Sequence, residues 1–224
     1  PDSSTGTYSA TTGGEGLNTG INNPKSMIVG TAPNSIIVAD TGNNRVIQFD
    51  LGNGTATLIA GNGQNLDNGD GGAATDASLF HPSGLALDPN GNLYISTEHG
   101  FIRKVNQYGV ISTFAGKTIA QGGVPAQTAL ASEMIFAQPT GLALDNTRGF
   151  LYVADTGQHR VVRINLLDNL AQVVAGTGLP GYNGDNKAAL AANLSSPQEV
   201  AVDTDGNLLI LDNGAQRIRK VDFQ

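Results

Sequence analysis

One sequence pattern occurs four times in this chain, at a spacing of 57 or 58 residues. Each copy begins at a proline and continues through an apolar run, a turn rich in Asn, Asp or Gly, and a second apolar run. The four prolines are Pro24, Pro82, Pro139 and Pro197. A repeat of this period indicates units that are too small to bury their own apolar faces and therefore pack against one another. The sequence predicts one repetitive domain rather than several independent ones.

The second copy shows most clearly how one repeat is divided. Ser83–Asp88, Leu93–Ser96, Phe101–Val105 and Val110–Ala115 are short runs of strand-forming residues. Turn residues separate these runs, and Pro89–Asn92 is the strongest hairpin signal among them. A longer connection then leads to the next proline. Four short antiparallel strands followed by one long connection predict a β-propeller blade.

The predicted blades cover about residues 23–61, 81–116, 138–176 and 196–224. The last copy stops after its third strand, whereas residues 6–13 align without a gap with Gly109–Gly116, the end of the second copy. We therefore expect residues 6–13 to supply the fourth strand of the last blade, because a closed ring hides its strand edges. The alternative is that the chain is part of a larger propeller, for example a six-bladed one.

Several segments of the chain resemble NHL repeats. The resemblance is carried by PSGLALDPNGNLYI from Pro82, ADTGNNRVI from Ala39, ADTGQHRVV from Ala154, NGAQRIRKV from Asn213 and NGDGGAATDASL from Asn68. It extends from Thr7 to Phe223 and implies an all-β propeller. Members of the family usually have six blades, whereas four are found here, which suggests an unusual four-bladed ring, a missing part of the propeller, or a partner chain that supplies the rest. The fold says little about function, because propellers perform very different tasks.

The composition argues against several classes of partner. There is no cysteine, so disulfides and thiolate metal sites are excluded. The net charge of −7 argues against nucleic acid, and the basic residues of Arg103–Lys104 and Arg217–Lys220 are interpreted as solvated strand edges. This holds although the resemblance includes NHL domains that bind RNA through a basic face. No apolar run approaches the 18 residues of a membrane span, so none is predicted.

Binding residues are expected on one face of the propeller. In a propeller of this layout the long crossings between blades and the turns between second and third strands lie together, and loops on a rigid scaffold often carry function. The crossings are residues 62–80, 117–137 and 177–195, and the turns are residues 41–44, 97–100, 156–159 and 213–216. The candidate binding residues on this loop face are Asp67, Asp70, His99, Phe101, His159, Tyr182 and Asp185.

An Asp followed five residues later by an Arg recurs in three of the four copies. These pairs are Asp40 with Arg45, Asp155 with Arg160, and Asp212 with Arg217. Recurrence in similar turns favours a structural role, in which the Asp caps the turn and the Arg braces the neighbouring segment. The second copy breaks the pattern with Thr97 and Phe101, so we expect a site that distinguishes one blade from the others to lie there.

Neither a catalytic group nor a metal site or cofactor is predicted. His81, His99 and His159 all fall on the loop face, and the related peptidyl-hydroxyglycine lyases hold zinc through histidines of a propeller. A zinc site needs three ligands that converge, and three separate polar histidines are the favoured interpretation here.

The favoured function is a non-catalytic protein-binding, adhesion or assembly module, outside the cell or at its surface. Its partner is another protein or further copies of itself. The alternative is a propeller lyase or hydrolase with its site at the channel mouth, which requires convergence of the three histidines or of Asp67, Asp70 and Asp185.

Overall fold

The computed structural model describes residues 20–117 and 126–223, together with the backbone of Gly14–Glu15. These residues form four antiparallel sheets, each of which is one blade. The predicted all-β fold class, a propeller arrangement of four blades, is confirmed. Within the described residues, no helix has the length and apolar character needed to cross a membrane.

The strands follow one another from the inner to the outer edge of each blade. Blade 1 contains β2 (Ser26–Val29), β3 (Ser35–Asp40), β4 (Arg45–Asp50) and β5 (Thr55–Ala60), with β1 (Gly14–Glu15) paired outside β5. Blade 2 contains β6 (Pro82–Leu87), β7 (Leu93–Thr97), β8 (Phe101–Val105) and β9 (Ile111–Ala115). Blade 3 contains β11 (Pro139–Asp145), β12 (Phe150–Asp155), β13 (Arg160–Asn165) and β14 (Leu170–Ala175), with β10 (Thr128–Leu130) outside β14. Blade 4 contains β15 (Pro197–Val202), β16 (Leu208–Asp212) and β17 (Arg217–Val221).

Single turns of 3-10 helix connect some of these strands. They cover Thr41–Asn43, Ala131–Glu133, Thr156–Gln158, Ala189–Ala191 and Asn213–Ala215. Three of them join the second strand of a blade to its third, and each of those three ends at a residue in the left-handed region, with φ of 52° at Asn44, 52° at His159 and 53° at Gln216.

The core consists of apolar layers between successive blades. Successive side chains of a strand point to opposite faces of its sheet, so one set faces the preceding blade and the other faces the following blade. In blade 3, for example, Leu142, Val153 and Val162 share one face through the strand register. They pack there against Tyr94 and Ile102 of blade 2. Equivalent layers lie between blades 1 and 2 and between blades 3 and 4.

The inner strands approach closely because small or hydroxylated residues face the next blade. The hydroxyl of Thr41, in the turn that follows β3, donates to the carbonyl of Pro82 at the start of the inner strand of blade 2, at 2.7 Å. The hydroxyl of Thr140 likewise donates to the carbonyl of Gln198 at 2.7 Å. At Gly84 the approach is closer still, because a Cβ there would overlap the carbonyl oxygen of Thr140. These contacts fix the spacing between consecutive blades.

The two ends of the row of blades leave apolar side chains exposed. Inner strands pack in the order β2, β6, β11 and β15, and among the described residues no packing of similar extent joins β15 to β2. Met27 is 65% exposed, although its equivalent in blade 3, Leu142, is 6% exposed. At the other end Ile218 is 73% exposed, whereas its equivalent in blade 2, Ile102, is fully buried. The outward faces of blades 1 and 4 therefore carry residues of the type that is buried between blades.

The expected completion of blade 4 by residues 6–13 lies outside the described residues. The adjoining Gly14–Glu15 pairs with β5 of blade 1, with Gly14 opposite Ala56. In blade 3, β10 occupies the same place, with Ala129 opposite Ala171. Both members of the second pair lie 115 residues after those of the first. Blade 4 has three strands in the part of the chain that the structure describes.

Candidate functional site

The structure brings the crossings and the second-to-third turns together on one face. In each blade, a backbone N–H of the turn donates to the carbonyl of the residue two positions before the blade's proline. The four bonds are Gly42 to Asn22 at 2.9 Å, Glu98 to Phe80 at 3.1 Å, Gly157 to Ala137 at 2.7 Å and Gly214 to Ser195 at 2.7 Å. The loop face is thus held by the same backbone bond four times.

Blades 1 and 3 use their Asp–Arg pairs as buried braces. The carboxylate of Asp155 is fully buried and accepts from the Arg160 Nε at 2.8 Å and from the Ala137 N–H at 2.8 Å. The Arg160 guanidinium also donates to the carbonyl of Ile135 at 2.8 Å. In blade 1, Asp40 and Arg45 form the equivalent pair at 2.7 Å. These residues therefore connect the turn, the third strand and the incoming segment.

The Asp155 carboxyl makes stability depend on pH. Burial raises its pKa from 3.8 to about 6, although Arg160 and the Ala137 N–H oppose the shift. Between about pH 4 and pH 6 the folded chain then holds a proton that the unfolded chain has lost, so this group's contribution to the free energy of unfolding falls as the pH rises.

Asp155→Asn removes this titration. We expect the difference in unfolding free energy between the original chain and the variant to shrink by roughly 2 kcal/mol from pH 4 to pH 6, measured by urea unfolding. Asp222→Asn, at a carboxylate that is 64% exposed, serves as the control. Parallel pH profiles for Asp155→Asn and the original chain would contradict the assignment.

Blade 2 replaces the missing Asp with a residue from the crossing. Asp67, whose side chain is 3% exposed, accepts from the Phe80 N–H at 3.1 Å. This bond corresponds to the one from Ala137 to Asp155. The Thr97 hydroxyl, at the position that carries Asp in the other copies, donates to Asp67 at 3.1 Å. Burial raises the pKa of Asp67, against the effects of the Phe80 N–H and of Arg103.

The guanidinium in blade 2 comes from Arg103, the third residue of β8. Its side chain is 1% exposed and lies 2.5 Å from Asp70 and 3.7 Å from Asp67. Asp70 also accepts from the Thr113 N–H of β9 at 2.9 Å. Partial burial acts against ionisation of Asp70, but the hydrogen bonds from Thr113 and Arg103 prevail and lower its pKa. Asp67 and Asp70, two of the candidate binding residues, are thus joined through one buried arginine.

In blade 4, as in blade 2, the buried guanidinium comes from the third residue of the third strand, whereas in blades 1 and 3 it comes from the first. Asp212 lies 3.4 Å from Arg219 and accepts from the Ser195 N–H at 2.6 Å. Arg219 also pairs with Asp185 at 2.7 Å. The expected brace from Arg217 to Asp212 is therefore replaced, because Arg219 already fills the space beside that carboxylate. Arg217 lies on the surface, with its guanidinium 4.0 Å above the ring of Tyr182.

An aromatic and ionic cluster covers the loop face of blade 2. The rings of Phe80 and His99 are stacked with their centroids 3.5 Å apart, and His99 Nδ1 lies 3.2 Å from Asp67. Beside them, Glu98 joins Lys25 at 2.6 Å and His81 at 3.1 Å. Partial burial of Glu98 acts against ionisation, but the bonds from Lys25 and His81 prevail and lower its pKa.

A second cluster lies on the crossing before blade 4. Tyr182 is 43% exposed, and its hydroxyl donates to Asp185 at 2.7 Å. That bond, together with Arg219, lowers the pKa of Asp185. Tyr182 and Asp185, both predicted as binding residues, therefore lie in contact.

Two candidate binding residues remain, His159 and Phe101. His159 Nδ1 accepts from the Ser196 N–H at 3.0 Å, so its imidazole links blade 3 to blade 4. Phe101 begins β8 and is half-buried. Each of the three histidines has a different partner, and within residues 20–117 and 126–223 no group of three His, Cys, Asp or Glu side chains could hold a metal ion.

Sequence reasoning did not find Arg103 and Arg219 as the buried guanidiniums of blades 2 and 4. A signal for them is present in the crossings, where Asn-Gly-Asp ends at Asp70 and again at Asp185, 115 residues later. This is also the spacing from Pro24 to Pro139 and from Pro82 to Pro197. The four blades are therefore two copies of a two-blade unit.

Comparison with known proteins matches this chain to a protein family and to several individual proteins. The family profile described as Teneurin NHL domain matches residues 51–145 and 124–224. Teneurin-3 of Mus musculus is 31% identical over 181 residues, which cover 74% of this chain and 6% of that protein. The chloroplastic protein SUPPRESSOR OF QUENCHING 1 of Arabidopsis thaliana is 25% identical over 217 residues, or 91% of this chain and 20% of that protein. The chain spans only a small part of these relatives.

A solved structure shows the same fold. It is a protein of unknown function from Bacteroides thetaiotaomicron, with a TM-score of 0.68 and 21% sequence identity. The match covers 88% of this chain and 46% of the other. At that identity the likeness supports the fold and carries no functional argument.

Proposed function

Because the chain belongs to the teneurin NHL domain family, we propose that it is a non-catalytic protein-binding module. The observation that carries the proposal is the cluster on the loop face of blade 2. His99 has 45% of its side chain exposed, while its ring is held on Phe80 and beside the buried Asp67. Side chains that are already fixed lose little conformational freedom when a partner binds. Such a surface suits the recognition of another protein.

The second cluster supports the same use of this face. Tyr182 and Asp185 are exposed yet joined by a hydrogen bond, and Arg217 stacks on the tyrosine ring. Tyrosine and arginine are enriched at protein interfaces because each combines apolar surface with polar groups. The proposed partner is therefore a protein that touches one or both clusters, either another molecule or a further copy of this chain.

The proposed location is outside the cell or at its surface. The chain carries an N-glycosylation sequence at Asn53, and this residue lies exposed in the turn between β4 and β5. Such sequences act as acceptors in surface loops of secreted proteins. This feature, with the acidic net charge of −7, agrees with an exported module.

Photo-cross-linking on intact cells tests this function. A benzophenone amino acid at position 99 should form adducts with a partner protein, because His99 lies on the proposed binding face. The control carries the same group at Tyr108, which is 80% exposed in the turn between β8 and β9 on the opposite face. We expect roughly tenfold more adducts at position 99 than at position 108, because only position 99 lies on the face that the partner covers. Equal yields at the two positions would overturn the proposal.

A further inference from the structure

Two segments of the chain have the sequence that accepts N-linked glycans, an Asn followed two residues later by Ser or Thr. One begins at Asn53 in the turn between β4 and β5, and the other begins at Asn193 in the crossing before blade 4. A glycan is bulky and hydrophilic, so it fits only where the fold leaves the asparagine at the surface. The surroundings of the two asparagines differ in this respect.

The turn around Asn53 is open. Asn53 is exposed, and a Cβ placed on the next residue, Gly54, would meet nothing within 4 Å. Asn53 Oδ1 accepts from the Thr55 N–H at 3.0 Å and from the Thr55 hydroxyl at 2.7 Å. The asparagine and the hydroxyl of the acceptor sequence are therefore in contact at the surface of the folded chain.

The turn itself does not require an asparagine. In blade 3 the equivalent residue, 115 positions later, is Asp168, and its carboxylate accepts from the Leu170 N–H at 2.9 Å. An acceptor oxygen is therefore all that this type of turn needs at that position. Leu170, which is equivalent to Thr55, has no hydroxyl. The amide nitrogen of Asn53 and the hydroxyl of Thr55 are thus features of blade 1 that the shared turn does not explain.

Asn193, in contrast, has a structural role in its crossing. Its Oδ1 accepts from the Thr177 hydroxyl at 2.7 Å and from Asn183 Nδ2 at 3.3 Å. At the equivalent positions of the crossing before blade 2, the Ser78 hydroxyl donates to Asn62 at 3.2 Å. The same bond is formed twice, with the amide and the hydroxyl exchanged between the two positions. The fold therefore accounts for Asn193 without any modification.

The residues that follow Asn193 are packed into blade 4. Leu194 is 1% exposed. The Ser195 N–H donates to Asp212 at 2.6 Å, and the Ser195 carbonyl accepts from the Gly214 N–H at 2.7 Å. A bulky group on Asn193 would press on the crossing at the place where it meets blade 4.

We propose that Asn53 is an N-glycosylation site and that Asn193 is not one. The reaction joins Asn53 Nδ2 to the anomeric carbon of a sugar that is carried on a lipid diphosphate. The diphosphate leaves, and the nitrogen loses one proton. The inference rests on the proposed location outside the cell, since exported chains meet this glycan donor. The turn between β4 and β5 lies on the face opposite the two clusters, so the glycan leaves the proposed binding face uncovered.

Secretion of the full chain from eukaryotic cells tests the site. The secreted protein is treated with a peptide N-glycosidase in heavy-oxygen water, which converts each formerly glycosylated Asn into a labelled Asp, and mass spectrometry of peptides locates the label. We expect the label at position 53 and none at position 193. Thr55→Val keeps a branched side chain but removes the hydroxyl, and it should abolish the label. The matched change in the other segment, Ser195→Ala, should leave the glycan unchanged.

Asn53→Asp is the second variant, and it reproduces the residue that blade 3 carries in this turn. It should lose the glycan and keep the melting temperature of the enzymatically deglycosylated chain. If Thr55→Val does not fold, Asn53→Asp decides. Secreted, cooperatively melting protein without the label at position 53, or with the label at position 193, overturns the inference.

The glycan and the protein-binding function can fail separately. Cross-linking through position 99 should persist in Asn53→Asp, because the glycan lies on the opposite face. A chain that lacks the glycan and still cross-links at position 99 loses this inference and keeps the binding function. A chain that carries the glycan and forms no adducts keeps this inference and loses the binding function.

Discussion

Asp155→Ala lowers the free energy of unfolding by about 3 to 5 kcal/mol at pH 7, the cost of leaving one member of a buried ion pair alone. Arg160 is 3% exposed and loses its carboxylate partner at 2.8 Å. The Ala137 N–H loses its acceptor as well. The measurement is urea unfolding, followed by circular dichroism. A loss below about 1 kcal/mol, the range of exposed pairs, would contradict the role of this pair as a brace.

Two further variants show where that loss comes from. The raised pKa of Asp155 means that the attraction to Arg160 does not fully offset the burial of the carboxylate. Replacing both partners by apolar residues, Asp155→Leu with Arg160→Met, should therefore recover much of the stability. Asp222→Ala, which breaks an exposed pair with Lys220 at 2.9 Å, should change it little.

Gly84→Ala lowers the free energy of unfolding by about 3 kcal/mol, the upper end of the range for overpacking. The added methyl would overlap the Thr140 carbonyl, which is backbone and cannot rotate away. Blades 2 and 3 would have to separate at their inner strands, where the Ser96 hydroxyl donates to the same carbonyl at 2.6 Å. Thermal and urea unfolding both report the change.

The matched control for Gly84→Ala is Ser26→Ala. Ser26 occupies the same register in blade 1, two residues after its proline, and already carries a Cβ that the gap to blade 2 accommodates. We expect its replacement to change stability by less than about 0.5 kcal/mol. If the two variants were equally stable, the close approach of the inner strands would not be the cause of the glycine at position 84.

The strands and turns within each blade could be predicted from the sequence, because the signals for them lie within a few consecutive residues. Pro89–Asn92 is a strong hairpin signal by itself, and the short run Leu93–Ser96 predicts a strand without knowledge of its neighbours. The choice between Arg217 and Arg219 is not local. It depends on Asp185, 34 residues before Arg219, whose carboxylate selects the arginine on the third position of β17.

The loop-face cluster of blade 2 shows the same limit. The absence of Asp at position 97 pointed to this blade, but not to Asp67 as the residue that supplies the carboxylate. The three histidines were placed on one face by topology. Their separation follows from Glu98, Asp67 and the Ser196 N–H, each of which engages a different ring. Such partners are brought together only by tertiary packing.

The position of the buried arginine alternates from blade to blade, and this alternation limits how many blades a closed ring can contain. Blades 1 and 3 bury the first residue of the third strand, Arg45 and Arg160, whereas blades 2 and 4 bury the third, Arg103 and Arg219. Each blade therefore meets neighbours of the opposite kind. A circular array that preserves this rule all the way round must have an even number of blades, since five or seven would set two like blades side by side. Parity thus restricts the rings that this two-blade unit can build.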